Sequence, residues 1–169
     1  MKIHTIVIHY SATYPDQNVT RDDIDAMHKA RGFRMIGYNW YIQHSGNLNE
    51  GREEGTMTAG ASGHNSGYIH ICFEGGLERA TGSNVGHWNP TPEQVTTMVE
   101  LIHGIQSRWP DANTVTGHKN LSGAATQCPG RDDVAQWWVD QNAPTPAAAP
   151  KPWAAIIAFI VALFGKAKT

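Results

Sequence analysis

Four residues, Thr91-Pro92-Glu93-Gln94, constrain this chain more than any other stretch of it. Thr91 supplies an N-cap oxygen, Pro92 a ring already set for the first helical position, and Gln94 the side chain that closes a capping box. Val95, Met98, Val99, Ile102 and Ile105 follow at helical spacing. They define one apolar face, and Pro110 requires the helix to stop by Trp109. Thr20 with Asp23 predicts a second capped start, with Ile24 and Met27 on its inner face and Gly32 as its stop. A third helix is predicted over Asp133–Gln141, where Val134, Trp137 and Trp138 recur. Between the helices lie short runs of another kind. Thr5–Tyr10 is rich in Ile and Val and reads as a buried strand, as do Tyr68–Phe73 and the shorter Asn113–Gly117. Asn39–His44 alternates and is aromatic-rich. Ser45-Gly46-Asn47 turns it back onto Leu48–Arg52, a hairpin. Strands and helices therefore interleave, and the class is α/β.

The 169 residues suffice for one domain with length to spare. A composition of 40% hydrophobic and 17% charged residues excludes a wholly disordered chain. Two cysteines, Cys72 and Cys128, exclude a disulfide framework. No internal repeat is visible, and residues 77–90 form a Gly- and Asn-rich loop. The body is expected over residues 1–141, followed by a Pro/Ala linker at 142–152 and an apolar segment flanked by lysines at 153–169. Residues 1–141 carry 10 Lys+Arg against 15 Asp+Glu, whereas Lys151, Lys166 and Lys168 are the only charges beyond. An acidic body is a poor non-specific binder of nucleic acid. A basic tail suits an anionic surface. The twelve residues Trp153–Phe164 have no polar side chain except the indole of Trp153. As a helix they span ~18 Å, short of a ~30 Å hydrocarbon core. Two readings stay open: an extra helix packed on the body, or insertion into a membrane interface, which the flanking lysines and Trp153 favour. The first residues lack an apolar core long enough for export, so the protein is expected to be held in a cytoplasm until released.

Three residues stand out chemically. His9 ends the first strand, His118 follows the strand before it, and Cys128 precedes Pro129-Gly130. Imidazole and thiolate are preferred zinc ligands, and three protein ligands leave a fourth position for water. The spacing alone carries little, because the chain has nine histidines and the trio lacks a paired-cysteine motif. Ordinary polar and core residues are the alternative.

A wider set of motifs occurs in one order: IVIHYSAT at 6–13, IGYNWY at 36–41, NEGR at 49–52, IHICFEGG at 69–76, and GHKNL at 117–121 with TQCPG at 126–130. Over roughly residues 1–140 the chain resembles the zinc-dependent N-acetylmuramoyl-L-alanine amidases of the phage-lysozyme and peptidoglycan-recognition-protein superfamily. The resemblance implies a mixed central β-sheet flanked by helices, with one zinc ion in a surface groove. It implies hydrolysis of the amide between N-acetylmuramic acid and L-alanine of the peptidoglycan stem. By position, His9, His118 and Cys128 match the zinc ligands, and Tyr38 matches a tyrosine whose hydroxyl assists at the zinc-bound water and the scissile carbonyl. Thr126 falls where a phage member carries a lysine and many recognition-protein amidases a threonine. Lys119 is a cation near it in sequence. Tyr68 and His70 stand where serine and glycine are common, and His64, Asn65 and His70 are expected as substrate contacts. A glutamate that serves some relatives as a base has no counterpart in register: Cys72 takes its place, and Glu74 is two residues away.

The function implied is that of a phage endolysin, a monomer released from the host cytoplasm to the periplasm and wall at lysis, with membrane contact through residues 153–169. Two other classes compete. Some family members bind peptidoglycan without cutting it, and these commonly lack the cysteine that is present here as Cys128. A phage member also inhibits its phage's RNA polymerase, an interface that likeness of fold does not carry over.

Overall fold

The apolar runs assemble into one five-stranded sheet in the computed structural model, which describes residues 1–143. The strands are β1 (Thr5–Tyr10), β2 (Trp40–Ile42), β3 (Leu48–Glu50), β4 (Tyr68–Phe73) and β5 (Thr114–Gly117), and the helices are α1 (Arg21–Ala30), α2 (Pro92–Arg108) and α3 (Val134–Gln141). The spatial order is β3-β2-β4-β1-β5. β1 pairs in parallel with β4 and β5, β2 pairs in parallel with β4, and β3 closes the edge antiparallel to β2. The expected mixed sheet flanked by helices is thus present. From residue 144 onward, the expected linker and apolar segment lie outside the described residues. Among the described residues no helix is long and apolar enough to cross a membrane.

α2 begins and ends where its caps dictate. Thr91 and Gln94 form the capping box, and the Trp109 amide bonds back to the Ile105 carbonyl. Gln94 does more than close the box: its amide also donates to the carbonyls of Ile42 and Glu74, pinning the helix start to the ends of β2 and β4. α1 carries the expected Thr20–Asp23 box. Its inner face differs from the periodic reading, for Ile24 is buried but Met27 is exposed. Asp25 and His28 take the inner positions instead, because each serves the backbone of the next segment. Asp25 accepts the Ile36 amide at 2.7 Å, and His28 Nδ1 accepts the Gly37 amide at 2.9 Å.

The strand ends are trimmed for a similar reason. Asn39 brackets His70 by hydrogen bonds to both its amide and its carbonyl, one of them through the Asn39 side chain, so β2 proper starts one residue later than expected. The His44 amide goes to the Glu74 carboxylate rather than to a neighbouring strand.

Alternation along the strands sorts side chains onto two faces. Ile6, Ile8, Ile69, Ile71 and Phe73 pack with Met98, Ile102 and Ile105 of α2 and with Val134 and Trp137 of α3. Tyr41 and Cys72 pack on the other face with Val19, Ile24 of α1 and Ile36. His9 and His70 share that second face.

Candidate metal centre

The site gathers at the carboxyl ends of the parallel strands, where open α/β sheets expose their strand termini to ligands. His9 is the fifth residue of β1. Ile8 lies opposite Gly117, so His118, the first residue of a short 3-10 turn after β5, arrives beside it. The His9 and His118 ring centres are 4.6 Å apart. Cys128 comes from the following loop, which is fastened at several points. The Lys119 amide donates to the Cys128 carbonyl at 2.7 Å, and the Thr126 hydroxyl oxygen accepts the Cys128 amide at 3.1 Å. Gly117 permits this approach, since a Cβ there would stand 2.8 Å from the Pro129 ring.

One ligand-type atom from each of His9, His118 and Cys128 lies within 4.8 Å of the other two. The donor set fits zinc: two imidazoles and a sulfur from rigid strand ends and a tied loop, with room for a fourth ligand. The Tyr10 amide also donates to Cys128 Sγ at 3.3 Å, a contact suited to a sulfur bearing negative charge. Burial drives the protonation states. It holds His9 well below the ordinary histidine range, helped by the imidazoles of His70 and His118. It lowers His118, with His64 adding to the effect. It pushes His70 down to about 4. All three rings are therefore neutral at pH 7, as His9 and His118 must be to serve as ligands. Burial pushes the Cys128 thiol up to about 12, the Tyr10 amide opposing. The 3.6 Å approach of Sγ to His9 Nδ1 sets the two ligand-type atoms side by side, as shared coordination needs, and a coordinating thiol gives up its proton on binding a metal.

His118 and Cys128 line a groove of about 450 Å³, and His9 is buried against them. One wall is α1 and its exit, with Met27, His28, Arg31 and Phe33; the facing walls include Ala59–Ser62 and Thr126. Tyr38 lines the groove with its ring 5.0 Å from that of His9. Burial, with Cys72 and Cys128 nearby, raises its phenol well above the ordinary value, so it keeps its proton.

Chain similarity agrees with this geometry. A family model described as N-acetylmuramoyl-L-alanine amidase matches residues 1–131. The chain belongs to the N-acetylmuramoyl-L-alanine amidase family. This amidase-family chain is 30% identical over 133 residues to the endolysin of Escherichia phage T7, covering 79% of this chain and 83% of the relative. Its fold matches the N-acetylmuramoyl-L-alanine amidase LysC from Clostridium intestinale with a TM-score of 0.69 at 26% identity, over 85% of this chain and 88% of that one. Bumblebee PGRP-SA, at 24% identity and a TM-score of 0.65 over 86% and 87% of the two chains, shares the fold.

Within this amidase-family site, the other expected residues are distributed unevenly. Thr126 reaches the groove. Lys119 does not, because its ammonium pairs with Asp132. Glu74 is buried and accepts the amides of Val19 and His44, a structural clamp away from the groove. Cys72 is a free thiol in the core. His64 is half-buried with both ring nitrogens engaged, by the Tyr68 hydroxyl and the Ser122 carbonyl. Asn65 Oδ1 accepts the Ala61 amide and fastens the groove loop. The expectation that His70 contacts substrate is corrected. It has no exposed surface, and both ring nitrogens bond inside the protein. Sequence reasoning missed Asp25 and His28, which hold the Ile36–Tyr38 segment; on a helical wheel they read as solvated residues, and no local pattern marks them.

Proposed function

We propose that this protein is a zinc-dependent amidase that cleaves the bond between N-acetylmuramic acid and L-alanine in peptidoglycan, serving as a phage endolysin. The observation that carries the reading is the convergence of His9, His118 and Cys128, two of which line an open groove, in a chain of this family. Zinc held there supplies a Lewis acid for the scissile carbonyl and a water of pKa about 7. His9 and His118 contribute neutral lone pairs, and Cys128 contributes its sulfur. Tyr38 keeps its proton and donates it in a hydrogen bond to the carbonyl oxygen as negative charge develops there, an effect of ~3 kcal/mol for one well-placed donor. The Thr126 hydroxyl oxygen already accepts the Cys128 amide, so its proton remains the second donor. Asn65 and His64 act on substrate by shaping the loop that walls the groove. The body, residues 1–141, acts as a monomer on this reading.

The deciding experiment is mass analysis of peptidoglycan digested by the purified full chain. Free L-alanine amino termini without new reducing sugars are expected. New reducing ends, or full activity in a zinc-free preparation after chelation, would overturn the reading.

The remainder of the chain completes the proposal. Residues 142–152 tether, and residues 153–169 contact anionic lipid once the enzyme leaves the host cytoplasm for the periplasm. Bulky residues Ile156, Ile157, Phe159, Ile160, Leu163 and Phe164 contribute ~1.5–3 kcal/mol each on leaving water, and Lys166 and Lys168 add up to ~1 kcal/mol each beside anionic headgroups. Deleting residues 143–169 is expected to preserve cleavage of isolated peptidoglycan and to weaken binding to anionic vesicles and killing of intact cells. Loss of activity on soluble muropeptides in the truncated chain would make the segment a core helix instead.

A further inference from the structure

The two ring nitrogens of His9 do different work. Nδ1 lies 3.6 Å from Cys128 Sγ. Nε2 lies 2.8 Å from Nδ1 of His70, and His70 Nε2 lies 2.9 Å from the His64 carbonyl oxygen. The positions of the protons follow from the far end of this chain. A carbonyl oxygen only accepts, so His70 Nε2 carries a proton and donates it. A neutral imidazole has one N–H, which leaves His70 Nδ1 as an acceptor. His9 Nε2 must then be the donor across the 2.8 Å contact. The lone pair of His9 is thereby left on Nδ1, the nitrogen that faces Cys128. Neutrality of both rings follows from their burial with no carboxylate among their partners.

We propose that His70 is a positioning residue that holds His9 in its Nε2–H tautomer and so presets His9 Nδ1 as a metal ligand. The inference rests on the zinc reading above and extends it beneath the ligands, to a partner of the kind that orients first ligands in metal sites generally.

The fold builds His70 for this contact. Val7 lies opposite His70 between β1 and β4, so His9 and His70 are diagonal neighbours on one face of adjacent strands. The His70 backbone is clamped on both sides by Asn39, whose side-chain oxygen accepts its amide at 2.8 Å and whose amide donates to its carbonyl at 3.0 Å. The ring is covered by Gly60, where a Cβ would stand 2.4 Å from His70 Nδ1, so any other residue there would displace the ring or the loop. The His64 carbonyl belongs to the same groove loop, held by the Asn65 side chain on the Ala61 amide. The groove wall and the ligand are therefore joined through one buried imidazole.

Two measurements on the full chain test the proposal. Long-range proton–nitrogen NMR spectra of the 15N-labelled protein report which nitrogen of each histidine is protonated. His9 and His70 are both expected as Nε2–H tautomers, with and without Zn²⁺. A His9 proton on Nδ1 in the zinc-free chain overturns the proposal. The second measurement is Zn²⁺ affinity by competition with a chromophoric chelator. His70→Leu removes the acceptor and is expected to weaken affinity about 10- to 100-fold. His70→Asn retains an acceptor oxygen near the Nδ1 position and is expected to recover most of that loss. Unchanged affinity in folded His70→Leu overturns the proposal, as does equal weakening in both variants. If His70→Leu does not fold, the spectra of the unsubstituted chain still decide. An unsubstituted chain that takes up no Zn²⁺, and shows no sulfur-to-metal charge-transfer band with Co²⁺, defeats the zinc reading itself; that outcome is distinguished by absent binding rather than by indifference to residue 70.

Discussion

The two faces of the sheet solve different problems with the same strands. Toward α2 and α3, the buried side chains of β1 and β4 are Ile6, Ile8, Ile69, Ile71 and Phe73, and their partners are almost all aliphatic or aromatic. Toward α1, the same strands present His9, His70 and Cys72, and the helix answers with Asp25 and His28. A dry face needs only shape and volume to be stable. A polar buried face must satisfy each donor and acceptor, and here it does so through specific pairs: Asp25 with the Ile36 amide, His28 with the Gly37 amide, and His70 with His9 and the His64 carbonyl. Apolar burial on one side supports the placement of unstable chemistry on the other. Changes on the first face are therefore expected to appear as lost stability, and changes on the second as lost function.

The sharpest break of that division comes from the ligands. Cys128→Ser or His118→Ala is expected to abolish hydrolysis and remove stoichiometric zinc, as read by atomic absorption, while circular dichroism keeps the native spectrum. A substantially unfolded variant would mean that the site also holds the fold together. The opposite substitution, Ile102→Ala, lies in the dry core with no exposed surface. It is expected to cost about 2–5 kcal/mol in denaturant unfolding and to leave zinc content and the rate of the folded fraction unchanged.

The same contrast governs what could be read before the structure. α2 was legible to the residue, because Thr91, Pro92 and Gln94 write their caps locally and Pro110 ends the helix. The His9–His118–Cys128 cluster was legible only through five motifs taken together; nothing in the spacing of the three residues encodes that β1 and β5 pair with Ile8 opposite Gly117. Register is a long-range property, and His70 shows the consequence. Its position on β4 was plain, but whether it faced the groove or the core depended on which residue of β1 stood opposite. Met27 illustrates the complementary error: helical periodicity assigns it inward beside Ile24, but the backbone amides of Ile36 and Gly37 draw Asp25 and His28 inward instead.

A smaller effect tests whether the polar face works through chemistry or through packing. Tyr38→Phe keeps the ring that packs beside His9 and removes only the hydroxyl. Turnover is expected to fall by ~100-fold with zinc content and KM little changed, because the lost bond strengthens as charge develops. Thr126→Ala is expected to cost less, since that hydroxyl also serves the Cys128 amide and is the weaker donor. An unchanged rate in Tyr38→Phe would return the tyrosine to a packing role.

The gentlest probe is pH, sharpened by a single substitution on the polar face. His28 is held below the ordinary histidine range, first by burial and then by Arg31 and Arg52, with Asp25 opposing. Its Nδ1 must stay unprotonated to accept the Gly37 amide. The folded pKa is thus depressed relative to the unfolded value of about 6.5. Below that value the unfolded chain binds a proton that the folded chain resists, so stability falls as pH drops from 6.5 toward the folded pKa, and it is fully present above 6.5. The fully buried side chains of the dry face are aliphatic or are the rings of Phe73 and Trp137, and none of them ionises. Denaturant midpoints of the zinc-free protein are therefore expected to decline between pH 6.5 and pH 5, and His28→Gln, which can still accept an amide but cannot titrate, is expected to reduce the decline. His70 shares the sign of the effect, its pKa lying at about 4, so the variant is expected to retain part of the slope rather than lose all of it. A midpoint in His28→Gln with the same pH dependence as the unsubstituted chain would show that His28 does not hold the Ile36–Tyr38 segment through its neutral ring.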